Sequence, residues 1–382
     1  MRAIQYAAAH RLKQRQPLEY WITRMREGFA EVARDDSLLV KDSPEGRMAE
    51  RQIGQLSFTD GLMNDAARAN APLQRVSELV DWNAIEALLS GLRSGSMGAP
   101  AYPSLALFKA LLLQQWYGLS DPGLEEALVD RLSFRRFLGL SLSEPVPDHS
   151  TLWRFREQLA KSGLAERAFA LITAQIEKSG FVLKRGTLID ASLIRSAVNP
   201  PEPPDPDLPP DADGRPASKL VKSAHDPDAA WTKKDGKYAF GYKMHVAMDQ
   251  GSRIIRRLAF TPANVNDTVP ADGLICGDEA TVYADKAYDT IARRVRLKEM
   301  DIRDGIMRRH NRWLRLGPWA VRRNAVISHR RAPIEPLFAL LKRVYGLARA
   351  RYRGLMRNAA AFQLAATAIN LQRWARTPPQ IA

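Results

Sequence analysis

Residues 181–194 read FVLKRGTLIDASLI, and here the apolar period of the chain changes from helical to two. Two short apolar runs flank a turn at Lys184–Gly186, and Asp190 interrupts the second run between Leu188, Ile189, Leu193 and Ile194. That pattern predicts the first strand of a sheet. A carboxylate flanked by four large apolar residues is costly unless it is paired or metal-bound.

Upstream of this point the pattern is helical. Trp82 to Leu92 carries apolar residues at helical spacing, and Pro103-Ser104 opens LALFKALLLQQWYG with Gly118 as its stop. Asp121-Pro122 opens GLEEALVDRL, Ser133 opens FRRFLGL, and PDHST at 147–151 caps TLWRFREQLAKSG, which ends at Gly163. Trp153, Arg154 and Arg156 lie on the last of these helices. A chain of short capped helices with such residues reads equally as a helix-turn-helix-like DNA-binding domain or as a plain bundle.

Downstream, KYAFGYKMHVAMD and SRIIRRLAFTPA, joined by Gln250-Gly251, predict a hairpin. ATVYAD at 280–285 predicts a strand, Tyr288 to Glu299 a helix, and IRDGIM at 302–307 a short strand. Helical pattern returns from Pro333 to Ala375, broken near Gly346 and Gly354. The expected fold class is therefore α/β with a mixed sheet, preceded by an all-α domain. The boundaries are an N-terminal extension over 1–54, a helical domain over 55–175 and an α/β domain over 181–375. Asn199 to Pro216 (NPPEPPDPDLPPDADGRP) reads as an exposed, disordered or polyproline-like insertion. Met48 begins MAERQIGQLSFTD like a natural start, so residues 1–47 read as an upstream extension or a genuine N-terminal arm.

Charge narrows the partner. The chain of 382 residues carries a net charge of +15. Arg293 to Arg357 holds 19 Lys plus Arg against 4 Asp plus Glu, an excess equal to that of the whole chain. Charge focused on one segment reads as a surface for a polyanion, of which nucleic acid is the commonest. Within 300–331, arginines including Arg322 and Arg323 interleave with Trp313 and Trp319, a mix that suits backbone contact and stacking on an unpaired base. The bland alternative is a solvated basic loop with tryptophan anchors. The lone cysteine, Cys276, excludes a disulfide scaffold and a cysteine-based zinc site. His225, His245 and His329 have no metal-ligand spacing, and His245 reads as a structural strand residue. The absence of an apolar leader or a spanning stretch makes the cytoplasm the expected location.

Three carboxylates stand where they can converge. Asp190 lies in the first strand, Asp285 at the end of TVYAD and Glu335 in the first turn of the helix opened by Pro333. Each by itself is more readily a cap or turn former; Asp249 and Asp267, the rival acids, sit beside turn residues and read as caps. Lys342 follows Glu335 by seven residues, two helical turns, so the two share a face. Carboxylate oxygens suit Mg²⁺, and a pair of such ions about 4 Å apart serves phosphoryl transfer.

Arg331-x3-Glu335-x6-Lys342 resembles the Tyr-(2)-Arg-(3)-Glu-(6)-Lys signature of DDE transposases of the insertion-sequence four and five group. TLIDAS resembles the first Asp motif of that family and VYADKAYD the second, with TPANVNDT similar to the stretch between them. QLSFTDGL and the helices up to RFREQL resemble its N-terminal domain, so the likeness runs from about Gln55 to Trp374. Three positions depart: Ser328 stands for the signature Tyr, Lys286-Ala287-Tyr288 replaces small residues, and Asn266 replaces a frequent His.

The resemblance implies an RNase H-like fold in which Asp190, Asp285 and Glu335 hold two Mg²⁺ ions, with Mn²⁺ able to substitute. It implies cleavage at the ends of an insertion sequence and attack of the freed 3′-hydroxyl on target DNA. Arg331 and Lys342 would contact phosphates, with Arg154, Arg156, Arg322 and Arg323 as further DNA contacts. The partners implied are double-stranded terminal repeats, target DNA and a second copy of the chain in a synaptic homodimer. A DNA-binding protein without catalysis, such as a repressor or decayed transposase, and a structure-specific nuclease are the rival readings.

Overall fold

The computed structural model describes residues 51–54, 71–92, 101–203, 222–234, 236–310 and 315–376. Nearly all of the N-terminal extension, the QLSFTDGL stretch, most of the Pro-rich insertion and Trp313 lie outside the described residues.

Among the described residues seven α-helices come first. They are α1 (Ala71–Leu79), α2 (Trp82–Leu89), α3 (Ser104–Tyr117), α4 (Asp121–Asp130), α5 (Leu132–Leu138), α6 (His149–Lys161) and α7 (Leu164–Lys178). Their starts are set by short polar side chains that accept from unpaired amides of the first turn. Asp81 accepts from Asn83 and Ala84, the Ser120 hydroxyl from Gly123, and Asp148 from Thr151 at 2.6 Å. Gly118 and Gly139 end α3 and α5 in the left-handed conformation. Helix α3 is buried on nearly every side, which fits its apolar composition and makes it the centre of the bundle.

The sheet contains β1 (Thr187–Arg195), β2 (Ala230–Lys234), β3 (Lys237–Asp249), β4 (Ile255–Pro262), β5 (Thr281–Ala284) and β6 (Arg303–Ile306). Its order is β2-β3-β1-β5-β6, with β4 also paired to β3. β1, β5 and β6 are parallel, whereas β3 is antiparallel to β1, β2 and β4. The mixed α/β class and the β3–β4 hairpin agree with the sequence pattern. Asp249 holds the hairpin turn, accepting from the Gly251 and Ser252 amides and the Ser252 hydroxyl. It also accepts from the Lys184 amide, so it is a cap, as its position suggested.

Two layers cover the sheet. On one face Leu188, Ile194, Met244, Val246 and Met248 join a core that continues into the helical bundle. On the other, Ile189, Ala247 and Val282 pack against α8 (Thr268–Leu274) and α9 (Ile291–Glu299) through Ala271, Leu274 and Leu297. The chain then runs through α10 (Pro318–Arg331), α11 (Ile334–Arg343) and α12 (Leu355–Arg376). Helix α12 packs on β4 and also on α1, α3, α6 and α7. Trp116 donates its indole N–H to the Ala368 carbonyl at 2.7 Å, and the Asn370 amide clamps Ile255 from both sides. The helical region and the sheet thus share one core although the sequence divides them.

Three elements lack a strong sequence signal: β2, α8 and α10. Helix α10 buries only Ile327, so it shows no apolar stripe, and the segment reads from sequence as a basic loop. Residues 286–288 form a separate 3₁₀ turn, so the following helix starts at Ile291 behind its Thr290 cap and not at Tyr288.

Candidate active site

The parallel pairing of β1 with β5 brings the first two acids together. The last register pair is Ile189 with Ala284, and Asp190 and Asp285 each stand one residue further on. Asp190 shares the face of Leu188 and Ile194, toward which α11 packs. One of its oxygens accepts from the Ala191 amide at 2.8 Å, and the other lies 3.2 Å from the Arg331 guanidinium. Asp285 caps the turn that follows β5, accepting from the Lys286 amide at 2.5 Å. Its carbonyl accepts from the Tyr288 amide at 2.9 Å.

Burial pushes the Asp190 carboxyl above its usual range; Arg331 opposes this and the charge of Asp285 adds to it. Burial wins because the group stands in an apolar sheet face, and the like charge beside it compounds the cost.

Helix α11 carries the third acid. Ile334, Leu337, Phe338 and Leu341 anchor its inner side, which leaves Glu335 exposed in the first turn and Lys342 half-buried two turns on. Burial, and secondarily the charge of Lys234, hold the Lys342 amine below the usual lysine range. Lys234, at the end of β2, also acts on Asp190. Sequence reasoning overlooked this lysine, because β2 itself carried no clear strand pattern. Among the described residues neither Lys234 nor Lys342 has an ion-pair partner.

The donor set fits a hard divalent cation. All three acids offer oxygen, and two carboxylates forced together gain from positive charge between them. Asp190, Asp285 and Glu335 do not all bring their oxygens within 4.8 Å of one another, and Arg331 engages Asp190. A tighter cluster, Cys276, Asp278 and Glu279, is not a metal centre. Glu279 accepts from three backbone amides, Asp278 pairs with Arg256 and Lys184, and burial pushes the Cys276 thiol up to about 12.

The remaining arginines divide. Arg154 is exposed on α6 beside Trp153, which is 50% exposed, and Arg322 is exposed on α10 beside Trp319. Arg156 is only 5% exposed and bonds Asp121 at 3.0 Å and Gln114 at 2.9 Å. It ties α6 to α4 and α3, so the expectation that it meets DNA is corrected: it is buried, and both its terminal guanidinium nitrogens are taken by Asp121 and Gln114. Arg323 donates to the Ile306 and Asp304 carbonyls at 2.7 and 2.6 Å. It fastens α10 to β6 and is likewise a strut, which corrects its reading as a DNA contact.

Asp190 within β1 and Asp285 just past the end of the parallel strand β5, with Arg331 on the first acid and Lys234 acting on it, form an arrangement suited to phosphate esters. Residues 183–371 match the family described as Transposase DDE domain, and residues 62–158 match Transposase domain (DUF772). The chain belongs to the DDE transposases, a class of nucleases and transposases, and its six-stranded domain is RNase H-like. No solved structure matches the chain. Among the described residues no helix is long and apolar enough to cross a membrane.

Proposed function

We propose that the protein binds the terminal repeats of an insertion sequence and catalyses DNA strand cleavage and strand transfer at a site built from Asp190, Asp285 and Glu335. The observation that carries the reading is the juxtaposition of Asp190 and Asp285, each one residue beyond the last paired position of the parallel strands β1 and β5, with Arg331 on the first of them. Two Mg²⁺ ions, or Mn²⁺ in their place, would be held by the three carboxylates and would supply a nucleophilic oxygen at neutral pH and charge stabilisation for the leaving one. Arg331 and Lys342 bind and orient the phosphates beside the scissile bond.

In this reading residues 55–175 form a DNA-binding helical domain and 181–375 the catalytic domain. Arg154 and Arg322, both exposed, contact DNA away from the acids. The partners are double-stranded element ends and target DNA, the working form is a synaptic homodimer, and the site of action is the cytoplasm. The second reading, a DNA-binding protein without catalysis, is favoured by one observation: Arg331 engages the very carboxylate that a cation would need.

The test is cleavage and joining of labelled element-end DNA with Mg²⁺ or Mn²⁺, by the wild type and by Asp285→Asn. Cleavage lost in the variant while DNA binding persists supports the proposal. Equal cleavage by both removes Asp285 from the site, and binding without cleavage by either favours the inactive reading.

A further inference from the structure

The segment between α11 and α12, residues 344–354, is pinned along its length. Its middle adds to the end of β1. The Arg195 amide donates to the Ala348 carbonyl at 3.2 Å, and the Ala350 amide donates to the Arg195 carbonyl at 2.7 Å. The Arg349 guanidinium donates to the Ser196 and Ala197 carbonyls at 3.0 and 2.8 Å. At the far end the buried Asn358 side chain bonds Tyr352 and Gly354, and the fully buried Asp226 accepts from the Gly354 amide at 2.9 Å. Ordering a backbone in this way costs entropy, which a merely solvated connection has no use for.

What the frame presents is positive charge. Tyr352 turns inward, its ring 5.6 Å from the Arg156 guanidinium. Arg351 and Arg353, on either side of it, are exposed. Among the described residues neither side chain has a hydrogen-bond or ion-pair partner. The patch continues onto α6. Arg357 donates to the Arg353 carbonyl at 3.4 Å and also bonds Glu157 of α6 at 2.6 Å. Trp153 and Arg154 precede Glu157 by four and three residues, so they share its side of the helix. Both are exposed, and Arg154 bonds only the Ser150 hydroxyl among the described residues. Glu157 is taken by Arg357, so no acid neutralises the three exposed arginines. Gathered like charges repel one another, and a polyanion relieves them.

We infer that Arg351 and Arg353, continued by Arg154 and Trp153, form a track for the phosphate backbone of a duplex that runs from the acids to the helical region. The inference rests on the active-site reading above and adds two phosphate contacts to it. The pinned segment meets β1 at Arg195, five residues beyond Asp190. At the rise of a strand that is about 16 Å, or about five base-pair steps of duplex. The segment then ends against α6, so one duplex meets both parts of the chain. Guanidinium forks match phosphate oxygens, and a backbone already fixed loses little freedom on binding.

The experiment is fluorescence anisotropy over a salt series with two labelled duplexes, one of the element end and one of random sequence. Four full-length proteins are compared: wild type, Arg351→Gln/Arg353→Gln, Arg351→Lys/Arg353→Lys and the control Lys178→Gln/Arg185→Gln. The control removes the same charge from exposed side chains just before β1, at the other end of that strand. The glutamine pair should lower the slope of log binding constant against log salt by about 1.8, or about 0.9 for each phosphate, on both duplexes. Its melting temperature without DNA should match wild type, because both side chains are exposed. The lysine pair and the control should keep the wild-type slope. An unchanged slope in the glutamine pair, or an equal fall in the control, would overturn the inference. So would an equal fall in the lysine pair, which would make the frame and not its charge responsible. If the wild type binds neither duplex, the DNA reading itself fails and this inference with it.

Discussion

Acidification should cost this protein stability through one residue, His245. The side chain is fully buried on β3, opposite Ala191 of β1 and Ala259 of β4. One ring nitrogen lies 2.9 Å from the Thr261 hydroxyl and the other has no partner. Burial lowers its pKa from 6.5 to about 4; Asp267 opposes the shift and Lys243 adds to it. The folded value is depressed, so the stabilisation is fully present above pH 6.5 and is lost as pH falls toward 4. At about 1.4 kcal/mol per pH unit, the gap between these values comes to about 3 kcal/mol, of which about 2 kcal/mol is lost by pH 5. The perturbation that isolates it is His245→Gln, which can keep the bond to Thr261 but cannot titrate. Urea unfolding of both proteins at pH 7.5, 6 and 5 should show the wild type losing about 2 kcal/mol more than the variant across that range. Parallel stability curves would refute the reasoning, as would a ring titration near 6.5 observed by NMR.

Arg156→Ala should destabilise the fold by about 3 kcal/mol in urea unfolding, because it strands Asp121 and Gln114 in a largely buried site. Arg154→Ala should stay within about 0.5 kcal/mol and weaken DNA binding instead, measured by fluorescence anisotropy. Gly241→Ala should give insoluble protein on expression: its φ is +152° and a Cβ there would lie 2.1 Å from the Ile194 carbonyl oxygen. Lys342→Met and Lys234→Met should each reduce the slope of log binding constant against log salt by about 0.9, one phosphate contact apiece. An unchanged slope for Lys234→Met would remove that lysine from the DNA path.

The legible parts of the fold were those with strong local chemistry. Capped helices at Asp81, Ser120 and Asp148, the glycine stops at 118 and 139, and the β3–β4 hairpin all carried their own signals. The placement of Asp190 in a strand, Asp285 at a strand end and Glu335 in a first turn was legible for the same reason. Helix α10 was not, because a helix that buries only Ile327 leaves no apolar period to read. Nor was the division of the arginines. Arg154 and Arg156 are two residues apart on one helix, and only packing against α4 and α3 turns one inward.

By itself the sequence determined the order and kind of most elements, the concentration of positive charge after Arg293 and the acids worth testing, since caps, periods and composition are local properties of a chain. Tertiary structure alone decided that α12 would close one core across the helical region and the sheet. It alone set Asp190 beside Asp285 through strand register, brought Lys234 toward Lys342, and left the Tyr288 hydroxyl without a partner. Those relations join residues tens of positions apart, and no local signal encodes which distant strand a residue will meet or which of its polar atoms will be covered.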